Sequence, residues 1–355
     1  MEPTIKRPYQ SKTMLIILAV GLVAFLLYIF LYVNPAQIAQ ILSQTNLLIY
    51  STAFIVYFIN TVFSSLVWYR LLNSLKVKIS KRKAFLYTWV GLFFEATIPQ
   101  LGWSAEVSKT YMLTRDTKSD TGKVGASVVF QKIFNMTLTV VMLSIGLGLV
   151  LFSYQLPFLS AFAITLVLFL AILSLAIVYY VSLKPSATNT LLGLAIKIIK
   201  FLRKSWNPES FLSKAGTLLD NFHFGIKQLK TKPKALVVPL IFSLISFFFE
   251  VTVFFIVFAA LGQPLRVDAI FIVFTLTGVL QTIGIALGFP ELVMALTLEA
   301  LSINPEVAVS VALLTRAVNL WFRLIVSYGA LQLAGARIIG KNIRKVQKIE
   351  TQPTE

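Results

Sequence analysis

Ile98-Pro-Gln-Leu-Gly-Trp-Ser-Ala-Glu106 and Ile283-Gly-Ile-Ala-Leu-Gly-Phe-Pro-Glu291 decide how this chain folds. Each breaks an apolar run with proline and glycine and then presents a glutamate. The run ahead of the first, residues 84 to 98, is too short to cross the roughly 30 Å of hydrocarbon in a bilayer comfortably. Backbone groups freed at such a break must be satisfied by protein or by water in a cavity. Both stretches therefore read as bends of re-entrant helical hairpins, at residues 84–122 and 269–303. Pro99 and Gly102 mark the first bend; Gly284, Gly288 and Pro290 mark the second.

The rest of the chain is built for lipid. It has 355 residues, 57% of them hydrophobic and only 13% charged, with a mean hydropathy of +0.82. Apolar blocks at 13–33, 46–72, 124–153, 157–183, 235–261 and 306–336 each have the length of a membrane-crossing helix. Residues 34–45, uncharged and containing Pro35, read as a turn. The expected fold class is all-α, a polytopic membrane helical bundle of six full spans and two re-entrant hairpins arranged as inverted repeats.

The net charge of +18 raises nucleic acid as a partner, and the placement of the charges argues against it. Lysines and arginines gather at 70–83, 184–234 and 337–355, each cluster abutting an apolar block, while the alternate connections are nearly uncharged. That alternation is a topology signal with both termini cytoplasmic. The expected layout is a cytoplasmic segment (1–12), a first membrane half (13–183), a basic cytoplasmic linker (184–234), a second membrane half (235–336) and a basic tail (337–355). Within the linker Lys197, Lys200 and Lys204 share one helical face, and Leu191, Leu194, Ala195, Ile198 and Leu202 share the other. This describes a helix lying on an anionic leaflet; the alternative is a solvated basic loop.

With no cysteine there are no disulfides or thiolate metal sites. The single histidine, His223, has no partner in sequence that would make it a metal ligand. No nucleotide-binding glycine loop or serine elbow occurs. No cofactor or metal is expected, and the chain is not read as an enzyme.

The two hairpins carry matching charge. Each is followed by a span in which a cation precedes an asparagine by three residues: Lys132 and Asn135 after Glu106, Arg316 and Asn319 after Glu291. The glutamate-to-cation separations differ by one residue, which points to duplication. Arg316 and Lys132 lie well inside their spans, where an unpaired charge costs at least about 2.5–3.5 kcal/mol. Glu291 and Glu106 are their natural partners. Two readings stand side by side. In one, internal salt bridges clamp each hairpin to its span. In the other, Arg316, Lys132 and Lys109 hold a lipid phosphate, while Glu106, Glu250 and Glu291 face a cationic group or relay protons. Glu250 has no cation nearby in sequence; a bridge to Arg323 or Arg316 across helices is its structural explanation.

The segment Pro99 to Asn135, with Val128-Val-Phe-Gln-Lys-Ile-Phe-Asn135, resembles the first signature of the lysylphosphatidylglycerol synthase transmembrane-region family, also described as flippase-like. Gly288-Phe-Pro-Glu291 through Arg316 and Trp321 resembles its second. The first signature usually has Glu-Arg and then Asp where this chain has Gln131, Lys132 and Asn135; the second is usually richer in glycine. Known members join this domain to a soluble aminoacyl-transferring domain and move aminoacylated phosphatidylglycerol outward. This chain ends soon after its last span, so the resemblance implies a stand-alone membrane domain with flippase-like lipid handling.

The expected function is a lipid flippase or transporter in the cell membrane, moving a phospholipid or polyprenyl-phosphate-linked lipid between leaflets. Its partners would be membrane lipids with an anionic headgroup, a second copy of itself, and a cytoplasmic lipid-modifying enzyme. One alternative is a membrane-embedded transferase or accessory subunit of lipid-linked glycan synthesis, with Glu95, Glu106 and Asp116 as its carboxylates. Another is a scaffold that recruits a cytoplasmic enzyme.

Overall fold

The computed structural model describes residues 12–98, 103–153, 158–202, 209–282 and 288–335, and these are helices and short connections. Pro99, Gly102, Gly284 and Lys204 lie outside the described residues. In chain order the helices are α1 (Lys12–Tyr32), α2 (Pro35–Ser43), α3 (Leu47–Ser74), α4 (Lys81–Thr97), α5 (Ser104–Thr117), α6 (Thr121–Ser153), α7 (Phe158–Leu183), α8 (Pro185–Leu202), α9 (Glu209–Lys230), α10 (Pro233–Ala260), α11 (Val267–Thr282), α12 (Phe289–Ala300) and α13 (Pro305–Arg316). A π-helical turn, Ala317–Phe322, joins α13 to α14 (323–335). Among the described residues five helical segments are long and apolar enough to cross a membrane: Leu47–Ser74, Thr121–Phe152, Ala161–Leu183, Pro233–Ala260 and Pro305–Gly335. The first helix makes a sixth when its Leu22–Tyr32 part is taken with α2. The protein is a multi-pass integral membrane protein with an all-helical bundle fold.

Two local readings need correction. Residues 34–45 hold a helix, α2, bent 95° from α1. Asn34 caps it, its side chain accepting from the Ala36 and Gln37 amides, and Pro35 fills its first turn. Asparagine at the N-cap and proline just inside start a helix as readily as they make a turn. The basic linker holds two helices rather than one. Lys197 and Lys200 are exposed on α8, and so are Leu191 and Leu194 on its other face. The second linker helix, α9, docks on α6 through glycines: a Cβ on Gly122 would lie 2.4 Å from the Leu218 carbonyl oxygen, and one on Gly225 2.8 Å from the Ala126 Cβ. His223 sits in α9, its Nε2 2.9 Å from the Thr188 hydroxyl on α8.

The two halves repeat one order of elements. In the first, long α3 is followed by the paired helices α4 and α5 and then long α6. In the second, α10 is followed by α11 and α12 and then α13 with α14. The long helices that open each half, α3 and α10, form the most extensive contact in the molecule. Between them Ser246 donates to the side-chain and backbone oxygens of Asn60, the kind of polar tie that holds helices together where lipid offers no hydrophobic drive. Two apolar clusters, each drawing residues from both halves, surround the hairpins. One gathers Trp68, Leu71, Tyr87, Trp89 and Leu113 around the first hairpin. The other gathers Phe254, Phe258, Ile270, Met294 and Leu298 around the second.

Candidate functional site

Both glutamates at the bends occupy the first turn of the hairpin's second helix, Glu106 in α5 and Glu291 in α12. A carboxylate there complements the positive end of the helix dipole. The backbone makes the second bend possible: Gly288, the N-cap of α12, has φ of +79°, which favours glycine, and Pro290 sits just beyond it inside the first turn.

The ion pairs expected from the matching sequences form. Arg316 Nε donates to Glu291 Oε1 at 2.6 Å, with the two side chains only 4% and 8% exposed. Lys132 Nζ lies 3.6 Å from Glu106 Oε1 and over the Trp103 ring, 5.6 Å from its centroid. Each glutamate commits one oxygen to its cation. The other, Oε2 in both cases, is buried without a hydrogen-bond partner among the described residues.

A third pair ties the halves together. Arg323 Nη1 lies 3.6 Å from Glu95 Oε2, joining α14 to α4, and Phe93 and Tyr328 meet beside it with ring centroids 6.0 Å apart. The π turn explains the geometry. In an unbroken α-helix, residues seven apart are only about 20° out of line, so Arg316 and Arg323 would face one way. The wider turn at Ala317–Phe322 rotates α14 relative to α13. Arg316 thereby serves the second hairpin and Arg323 the first.

Between the halves lies a cavity of about 470 Å³. Its charged lining is Glu95 on α4, Lys132 on α6, Glu250 on α10 and Arg323 on α14. Asn60, Ser64, Asn135, Thr139, Ser174, Ser246 and Thr275 supply polar groups, while Leu92, Val140 and Phe247 are among the apolar ones. Ser243 donates to Asn135 Oδ1 at 3.1 Å.

Of the nine residues singled out in the sequence, the cavity gathers Lys132, Asn135, Glu250 and Arg323 directly. Glu106 touches it through Lys132. Arg316 and Glu291 form a buried pair outside its lining. Glu250 does not bridge Arg323 or Arg316 within 4.0 Å; it and Arg323 face the same space. Asn319, in the π turn, buries its Oδ1 without a partner among the described residues. Lys109 points elsewhere: its Nζ donates to Gln131 at 3.3 Å and lies over the Trp68 ring. Each of the carboxylates considered for a transferase has a cation of its own: Asp116 pairs with Lys83, Glu106 with Lys132 and Glu95 with Arg323. Sequence reasoning missed Glu95 as a cavity residue, though a lone acid in the apolar run before the first bend was a visible signal. Asn60 and Tyr57, which also line the cavity, gave none.

The arrangement of acids, bases and hydroxyls in one intramembrane cavity suits a ligand with both an anionic group and hydrogen-bond donors: Lys132 and Arg323 for the anion, the carboxylates for the donors. Comparison with known proteins agrees with a membrane protein. The family model described as the lysylphosphatidylglycerol synthase TM region matches residues 15–327. A UPF0104 membrane protein of Methanocaldococcus jannaschii is 25% identical, over 86% of this chain and 91% of its own length. Another from Methanothermobacter thermautotrophicus is 22% identical, over 93% and 98%. No solved structure matches. The chain belongs to the lysylphosphatidylglycerol synthase transmembrane-region family.

Proposed function

We propose that this protein is a flippase-like transporter that moves a phosphate-bearing lipid between leaflets, the headgroup passing through the central cavity while the acyl chains stay in lipid. The observation that carries this reading is the cavity itself, where Glu95, Lys132, Glu250 and Arg323 meet between the two halves. Charged groups at that depth are costly unless they pair or face water, and they mark paths for polar cargo. Repeated halves meeting at such a site are the architecture of alternating access, in which one half rocks against the other. In the same reading the hairpins re-enter from opposite faces and the basic linker lies on the cytoplasmic side. Exposed Leu191 and Leu194 opposite Lys197 and Lys200 on α8 support its contact with an anionic leaflet.

The test is a bleaching assay in vesicles of phosphatidylcholine and phosphatidylglycerol containing a trace of headgroup-region fluorescent phosphatidylglycerol. With wild-type protein, a membrane-impermeant reductant bleaches beyond the outer-leaflet fraction. Lys132→Gln combined with Asn135→Leu brings bleaching back toward that of protein-free vesicles. Equal bleaching by the wild type and the double variant rules out this cavity as the path.

A further inference from the structure

Four carboxylates sit within or against the membrane-embedded core: Glu95, Glu106, Glu250 and Glu291. Three have a cation within 4.0 Å, in the pairs Glu95–Arg323, Glu106–Lys132 and Glu291–Arg316. Glu250 has none among the described residues. It lies in the middle of α10, about 15 Å from the Ala260 end at the α-helical rise, where a carboxylate with no counter-ion is least tolerable. Two things relieve it: a proton, or the nearest cation that can turn toward it.

That cation is Arg323. It lines the same cavity as Glu250, and its contact with Glu95 is a loose 3.6 Å. Its Nε is buried without a hydrogen-bond partner among the described residues, leaving a donor uncommitted. The titratable groups that line the cavity around Glu250 are Tyr57 on α3, Glu95 on α4, Lys132 on α6 and Arg323 on α14. Lys132 is held by Glu106 and Trp103. Thr275 and Phe274 are among the α11 residues in the lining, and among the described residues no charged one of α9, α11 or α13 reaches it.

We propose that Glu250 is a proton-binding site and that its protonation decides which carboxylate holds Arg323. With Glu250 neutral, Arg323 stays on Glu95 and draws the first hairpin to α14. With Glu250 ionised, Arg323 turns to α10 and the hairpin is released. Acid therefore favours the closed contact and alkali the open one. The proton site stands on its own geometry; its use in driving cargo rests on the transport reading.

The experiment reads the contact without any lipid movement. The chain has no cysteine, so spin labels placed by Phe93→Cys and Tyr328→Cys report the separation of α4 and α14 in vesicles of phosphatidylcholine and phosphatidylglycerol. Acidic buffer should give one short, narrow distance, and raising the pH should add a longer population. In the Glu250→Gln background the short distance should persist at every pH, and its match to the acid wild-type spectrum shows that the variant is folded. A second readout is the infrared carboxylic C=O stretch, which should appear on acidification of the wild type and be reduced in Glu250→Gln. An unchanged pH response of the distance in Glu250→Gln overturns the proposal, as does a distance in wild type that ignores pH.

Discussion

Arg316 and Glu291 form the shortest and most buried of the intramembrane ion pairs, at 2.6 Å. Removing one partner leaves the other charge uncompensated, a cost of about 3–5 kcal/mol for buried pairs, whereas replacing both with apolar groups of similar size is often nearly neutral. Arg316→Met should therefore lower the thermal unfolding midpoint in detergent sharply, and Arg316→Met with Glu291→Leu should recover most of the loss. A double variant as unstable as the single one would show that an uncompensated charge is not the source of the loss. Lys132–Glu106 is longer and more exposed, with side chains 12% and 13% accessible. Its loss should destabilise the fold less and transport more, which the bleaching and melting measurements separate. Both pairs were legible from sequence because a deeply placed cation has few ways to be tolerated. The placement of Lys109 was not, since a lysine can equally turn to a glutamine and an aromatic face in its own half.

At the scale of elements, the long apolar spans and the broken hairpins could be read from block length and from proline and glycine. The docking of α9 could not. Ala215, Leu219, Phe222, Ile226 and Leu229 recur at helical spacing, but the close approach of α9 to α6 at Gly122 and Gly225 is a tertiary contact that no period shows. A larger side chain at Gly122 must collide with the Leu218 carbonyl and the Phe222 backbone nitrogen, 2.4 and 2.7 Å from the added Cβ. Gly122→Leu should therefore raise amide exchange across α9 while α10 stays protected. Unchanged exchange in α9 would show that its hold on α6 lies elsewhere. The π turn is equally invisible to a pattern reading. Seven-residue spacing makes Arg316 and Arg323 look like neighbours on one face, and only the wider turn sends them to different hairpins.

The whole molecule is two similar halves packed through α3 and α10, with polar and charged groups from both enclosing one cavity. The repeated order of elements was readable because charge and bend recur at almost constant spacing. The cavity was not, because Tyr57 and Asn60, Ser174, Ser246 and Thr275 converge on it from four different helices. Alternating access requires that this space be reached from each aqueous face in turn. A single Thr139→Cys substitution in the cysteine-free chain places a thiol on the cavity wall. Labelling it in sealed vesicles with a membrane-impermeant thiol reagent, applied first outside and then inside, tests that requirement. Modification from both faces is the predicted result; modification from one face only, in protein whose α3 and α10 remain protected from exchange, would contradict it.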